Sequence, residues 1–489
     1  MGFSYMEILE IEKIKSKTTK SILFLSIRNM AIQFIGTIGF FILTLKLGIG
    51  EVGLFAIVSE SISILGYFSD IGLASALIQQ KEEVSHHELK STFTIQQLLV
   101  TLGLIIVALI YPRIALSHNY GWGELSIVVS LCFAFIAASL KTIPSVLLER
   151  KLDFKQISLV DLIENLLFYI IAVIFAYLGY GIFSYSIATF IKSIIGLIIM
   201  YRLSPWSIGF SLNFKSTQKL LRFGIPYQLN SFIALAKDRL SDLLVAGIIG
   251  REGFGILSWA RKGPRIPLSF MDAIMKVTFP TFSRVQDNLP LLKRFISRSI
   301  YCISLVVFPI LAGISLVSAD IIMIIPKYAK WLPAIIPLYF TAASYAIAAV
   351  TTPLTNAFNA VGKIAITTKL MIMWTVLTWI FYPILSLKYG YVGASVAALF
   401  VSLSSFIVWY LAKIHFNVNV VSDIKKPFLG TLLVIFWCLA INKLGLPSFH
   451  QLILKISGGI FLYILYLYIF NLQEVQWFYH QIKKLQSKK

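Results

Sequence analysis

Long apolar stretches recur along the chain near 22–45, 53–78, 91–112, 125–147, 157–178, 181–201, 223–249, 254–280, 295–318, 331–353, 365–387, 391–412, 427–446 and 449–470, with short polar segments between them. Each is about as long as the roughly 20 residues a helix needs to cross a hydrocarbon core. Lipid offers no partner to a free backbone amide, so spans of this kind are helical. The pattern predicts an all-α polytopic membrane protein with 14 transmembrane helices. Composition agrees: 58% of the 489 residues are hydrophobic, only 13% are charged, and mean hydropathy is +0.82, which excludes a water-soluble globule.

An even number of spans puts both termini on one side. With the termini placed in the cytoplasm, lysines and arginines of the inside segments outnumber those of the outside loops by more than three to one. The inside set includes Arg150, Lys151, Lys155, Lys215, Lys219, Arg284, Lys293, Lys425, Lys426 and Lys483; the outside loops hold Lys46, Arg113, Arg251, Lys327, Lys330, Lys388 and Lys443. The net charge of +21 therefore reads as cytoplasmic loops, and no nucleic-acid partner is expected. The outside loops are too short to house a recognition domain, so function is expected within the membrane helices.

Several chemistries drop out. Cys132, Cys302 and Cys438 stand far apart inside apolar stretches, without disulfide or zinc spacing. His86 and His87 lack further metal ligands. Gly48-x-Gly50-x-x-Gly53, with Asp70 beyond it, spells a dinucleotide fingerprint but joins two membrane spans rather than a strand and a helix. No P-loop occurs, so no ATP site is expected, and no cofactor beyond coupling to Na⁺ or H⁺. The first apolar run follows Lys13, Lys15, Lys17 and Lys20 and is too long for a signal-peptide core, so it should remain as an anchor.

The chain also carries an internal echo. Leu47-Gly48-Ile49-Gly50-Glu51-Val52-Gly53-Leu54-Phe55 follows the first span, and Gly247-Ile248-Ile249-Gly250-Arg251-Glu252-Gly253-Phe254-Gly255 follows the seventh, offset by 200 residues. This predicts two pseudo-symmetric six-helix lobes plus two C-terminal helices. The expected organisation is a basic N-terminus at 1–21, an N-lobe at 22–201, a linker at 202–222, a C-lobe at 223–412, spans 13 and 14 at 413–470 and a basic tail at 471–489.

Ionisable side chains inside spans cost about 2.5–3.5 kcal/mol each on insertion scales, so they face cavities or partners. Arg28, Glu60, Asp70, Asp161, Glu164 and Lys192 are such residues, and the densest set is Lys237, Asp238, Arg239, Asp242, Arg261, Lys262, Arg265, Asp272 and Lys276. Glu60, Ser63, Tyr67 and Asp70 recur at helical spacing and form one polar stripe. Arg261 and Arg265 are four apart and should stack on one face, with Pro264 and Pro267 breaking the backbone ladder there. The first two spans of each lobe are thus expected to line a shared cleft. Its basic excess favours an anionic substrate, and arginine suits phosphate through planar bidentate contacts. Arg28, Lys237, Arg239, Arg261 and Arg265 are the candidate substrate ligands. Glu60, Asp70, Asp238 and Asp242 are candidate cavity or coupling carboxylates, Asp238 and Asp242 lying four apart on one face.

Three segments carry a family resemblance: Phe68-Ser69-Asp70-Ile71-Gly72-Leu73-Ala74-Ser75-Ala76-Leu77-Ile78-Gln79-Gln80-Lys81, Leu148-Glu149-Arg150-Lys151-Leu152-Asp153-Phe154-Lys155 and Phe279-Pro280-Thr281-Phe282-Ser283-Arg284-Val285-Gln286-Asp287. The chain resembles the Wzx-type polysaccharide flippases of the multidrug/oligosaccharidyl-lipid/polysaccharide exporter superfamily, most closely the colanic-acid and teichuronic-acid exporter branch. The resemblance implies a transporter, not an enzyme, in the bacterial cytoplasmic membrane. It implies alternating access that moves undecaprenyl-pyrophosphate-linked oligosaccharide between leaflets, with a polysaccharide polymerase, assembly proteins and membrane lipid as partners. The competing function is an ion-coupled multidrug or small-metabolite exporter of the same superfamily, whose cationic substrates an arginine-rich cleft would repel. A membrane glycosyltransferase would need an outer acidic site, and no large outer loop is present.

Overall fold

The structure is a computed structural model that describes residues 28–470 except 71, 81, 212–217, 219–231 and 233–234. The expected ends 1–21 and 471–489, about half of the linker and the starts of the first and seventh spans lie outside the described residues. Secondary structure among the described residues is helical throughout. The N-terminal helices are α1 Arg28–Lys46, α2 Ile49–Asp70, α3 Leu73–Gln79, α4 His86–His118, α5 Trp122–Arg150, α6 Phe154–Tyr177 and α7 Phe183–Leu203. A π-helical turn, Ala236–Leu240, then leads into α8 Ser241–Lys262 and α9 Arg265–Arg284. Next come α10 Leu289–Ile324, a 3₁₀ segment Pro326–Ala334, α11 Ile335–Ala360, α12 Ile364–Leu403, α13 Phe406–Phe416, α14 Val420–Asn442 and α15 Ser448–Phe470.

Twelve helices among the described residues are long and apolar enough to cross a membrane. The chain is a multi-pass membrane protein. This count is lower than the 14 predicted segments for two local reasons. Ile364–Phe416 counts as one span, although Gly390, at φ 58° and ψ −138°, interrupts its helical backbone. Ala236–Lys262 likewise counts once across Gly250, at φ 70° and ψ 178°, while α9 carries Arg265, Asp272, Lys276 and Arg284 and is too polar to qualify. Both glycines occupy backbone regions closed to other residues, and neither has room-limiting neighbours, so the conformation itself selects glycine.

The chain divides into two compact units, Met1–Ser258 with Met371–Tyr391, and Trp259–Leu370 with Val392–Lys489. In the first, α7 packs along α5 and α6, and α2 packs on α4 and α5. In the second, α10 is central, packed by α9, α11, α14 and α15. The two echoed glycine segments meet inside the first unit. A methyl group on Gly53 would overlap the carbonyl of Arg251, and one on Gly255 would overlap the carbonyl of Ile49. The glycines bring two backbones into direct contact, and Arg251 adds an ion pair to Glu124 at 3.2 Å.

Two of the resemblance segments also meet. Arg150 donates to the carbonyls of Leu77 at 2.5 Å, Gln80 at 2.7 Å and Glu82 at 2.7 Å, satisfying the exposed C-terminal end of α3. Asp70 accepts from the Ala74 amide at 3.0 Å across the left-handed turn at Gly72. A seven-residue helix too short to be stable alone is thereby fixed at both ends.

Candidate functional site

The residues of the α2 polar stripe take separate partners. Glu60 accepts from Arg239, 2.6 Å to Oε1, and joins α2 to the π turn. Ser63 instead donates back to the Glu60 carbonyl at 2.8 Å, and the Asp70 carboxylate is engaged in the turn before α3. Asp70 is therefore tied to local backbone, a role that the Asp-x-Gly sequence at residues 70–72 signals through its capping chemistry.

Lys237, Asp238 and Arg239 lie within the π turn. Such turns are rare and re-aim the side chains they carry. The widened backbone finds external partners: Trp379 donates through Nε1 to the Ala236 carbonyl at 3.1 Å, and Ser241 donates to the carbonyls of Lys237 and Asp238. Lys237 pairs with its neighbour Asp238 at 2.5 Å. Asp242 falls in the first turn of α8, directly after the π turn that carries Asp238.

Arg28 pairs with Asp161 at 2.7 Å, linking α1 to α6. One turn on, Glu164 pairs with Lys141 of α5, while the Lys192 ammonium of α7 lies 4.5 Å from the centre of the Phe168 ring. A methyl group on Gly196 would overlap the Glu164 carboxylate, so glycine makes room for this pair. Sequence reasoning listed four of these five ionisable residues and missed Lys141, which stands inside the apolar run 125–147 and was open to the same scan.

In the second unit, Arg261 ends α8 and Arg265 begins α9, with the break at Gly263 and Pro264. The backbone therefore breaks between the two arginines, where the prolines predict it. Pro264 makes the break, whereas Pro267 sits in the first turn of α9, where no backbone amide is needed. Arg265 reaches Asp272 loosely at 3.5 Å, and the two side chains are 52% and 43% exposed. Arg239 and Glu60 are 49% and 22% exposed. The second unit also contains a pair absent from the sequence reading: Lys455 of α15 and Asp320 of α10, 2.5 Å apart and almost fully buried. Among the described residues no group of three or more His, Cys, Asp or Glu is placed to hold a metal ion.

Several of these cations, Arg28, Lys141, Lys237, Arg239 and Arg265, are paired with a carboxylate. Arg239 and Arg265 are accessible enough for a stronger bidentate acceptor, such as a phosphate, to displace the carboxylate. Apolar spans threaded by such pairs mark a multi-pass membrane protein. Among solved structures, the chain is similar to the lipid II flippase MurJ in an inward closed conformation, with a TM-score of 0.77 and 18% identity over 93% of this chain and 100% of that one. An uncharacterized membrane protein in the cps region of Klebsiella pneumoniae is 24% identical over 474 residues, 92% of this chain and 94% of the relative. The lipopolysaccharide biosynthesis protein WzxC of Escherichia coli (strain K12) is 22% identical over 430 residues, 86% and 83% of the two chains. The polysaccharide biosynthesis protein family matches residues 46–336, and the chain belongs to that family, the Wzx-type polysaccharide flippases.

Proposed function

We propose that this protein moves undecaprenyl-pyrophosphate-linked oligosaccharide from the inner to the outer leaflet of a bacterial cytoplasmic membrane by alternating access. Family membership and the overall likeness to a lipid flippase support the lipid-linked substrate. The observation that carries the anionic head group is the half-exposed arginine held by a single carboxylate, Arg239 in the first unit and Arg265 in the second. Incoming pyrophosphate replaces the carboxylate as acceptor, so an anion is bound without leaving a cation bare in the membrane. Lys237, Arg261 and Arg28 add positive potential, Arg28 from within its pair with Asp161. Asp242 is assigned to coupling with H⁺ or Na⁺.

The same reading has fourteen crossings, counting Gly250 and Gly390 as tight turns and joining residues 251–262 with α9. In this reading both termini are cytoplasmic, and the two six-helix lobes, 22–201 and 223–412, are a division of the chain distinct from its two compact units. Reporter fusions after Lys327 and after Lys425 should read periplasmic and cytoplasmic respectively; the opposite pattern overturns the topology. For the activity, purified protein in proteoliposomes should accelerate the exposure of a pyrophosphate-linked oligosaccharide lipid to an outside glycan-modifying enzyme. Protein-free rates with that lipid, combined with accumulation of a cationic dye, overturn the reading in favour of drug export.

A further inference from the structure

A second basic site lies away from these arginines. Where α10 and α14 begin side by side, a cavity of about 450 Å³ opens, lined by Lys293, Arg294, Arg298 and Lys426 against the single carboxylate of Asp423. Asp423 sits beside Ser297, Ser422 and Lys293, so part of this charge is already balanced. Three cations remain in excess.

Arg294 and Arg298 are four apart on α10, a spacing at which like charges on a helix repel. The two helix N-termini add positive potential of their own, since each macrodipole places about half a charge there. Asn288 and Asn419 cap these ends by accepting from the amides of Leu291 at 3.1 Å and Ser422 at 3.4 Å. The caps occupy first-turn amides, so an incoming anion would be held chiefly by the arginines and lysines. Without a counter-anion the arrangement is self-repelling.

We propose that this cavity is a phosphate-binding site. Arg298 and Lys293 are half-buried at its wall, and Arg294 and Lys426 are exposed at its edge. This arrangement suits a phosphate whose remaining substituent points outward. Two sources present that chemistry, an anionic phospholipid and a soluble phosphate. The surroundings favour the lipid: Phe295 follows Arg294 on α10, Phe428 and Leu429 follow Lys426 within a turn on α14, and all three are exposed, at 38%, 50% and 43%, as contact with acyl chains requires. The 36 residues of α10 extend about 54 Å at 1.5 Å per residue, well beyond a hydrocarbon core of about 30 Å, so its first turns reach the head-group layer. Basic pockets between membrane helices on the cytoplasmic side are suited to such head groups. Only the assignment to the cytoplasmic leaflet rests on the charge-sided orientation proposed above.

The test is a binding titration of the full-length protein in neutral detergent, with phosphatidylglycerol, phosphatidylcholine and inorganic pyrophosphate as separate probes. Phosphatidylglycerol should bind, phosphatidylcholine should not compete, and Arg298→Gln with Lys426→Gln should weaken phosphatidylglycerol about tenfold or more, as expected for the loss of charge-assisted bonds. The charge-preserving pair Arg298→Lys with Lys426→Arg should retain most of the binding. It controls for misfolding, as does thermal unfolding of both proteins. Pyrophosphate binding that the glutamine variant weakens, with phosphatidylglycerol ignored by both proteins, upholds the phosphate site and assigns it a soluble ligand. Equal binding of each probe to wild type and glutamine variant overturns the proposal. Transport is not read in this experiment, so its failure is separate from any failure of the flippase reading.

Discussion

Lys455–Asp320 and Arg265–Asp272 are the same kind of interaction in the same unit, and they do opposite things. The first pair is 2.5 Å long with side chains 1% and 7% exposed; the second is 3.5 Å long at 52% and 43%. A buried pair has no solvent to fall back on, so loss of one partner leaves an uncompensated charge. It holds α15 on α10 and is unavailable to a ligand. A loose, half-exposed pair contributes little to stability and is easily traded for another acceptor. The difference teaches that in this chain a charge inside a span is not by itself a functional mark. Its exposure and the rigidity of its partner decide between scaffold and site.

The largest effect that would break this contrast is expected from Lys455→Met. It should lower stability by about 3–5 kcal/mol in detergent unfolding, while Lys455→Met with Asp320→Leu recovers most of that loss. A single variant as stable as wild type would show that the buried pair is not structural. A smaller loss, about 1–3 kcal/mol, is expected for Gly196→Ala, which pushes Glu164 out of its place beside Lys141. Unfolding measured alongside Lys141→Met would show less than additive losses if the two changes act on one pair. The smallest stability change, under about 1 kcal/mol, is expected for Arg265→Gln. Melting curves of that variant should overlie wild type, and a large shift would move Arg265 into the scaffold class.

Much of the architecture is legible from hydrophobic run length alone, because lipid allows few structures other than helices. The two segments of the glycine echo touch through Gly53 and Gly255, a contact that a repeat's spacing does not announce. What the pattern could not supply was pairing. Lys455 and Asp320 are 135 residues apart, and nothing local announces their contact. Asp70 was read as a cavity charge because helical spacing put it on the Glu60 face; the turn chemistry at Gly72 took precedence. The π turn at 236–240 was invisible because it arises where Trp379 and Ser241 supply partners for its carbonyls. The break between Arg261 and Arg265, by contrast, was legible, because a proline inside an apolar run disrupts the backbone ladder wherever it falls.

The central claim is that half-exposed arginines carry the anionic head group while buried pairs carry the fold. Reconstituted flipping of a pyrophosphate-linked oligosaccharide lipid, normalised to folded protein in each vesicle preparation, tests it most directly. Arg239→Gln and Arg265→Gln should each slow flipping about tenfold or more, the scale expected for losing a charge-assisted contact, while the double variant Lys455→Met with Asp320→Leu flips at close to the wild-type rate. Normal flipping by both arginine variants, with flipping abolished in the folded double variant, would contradict the account.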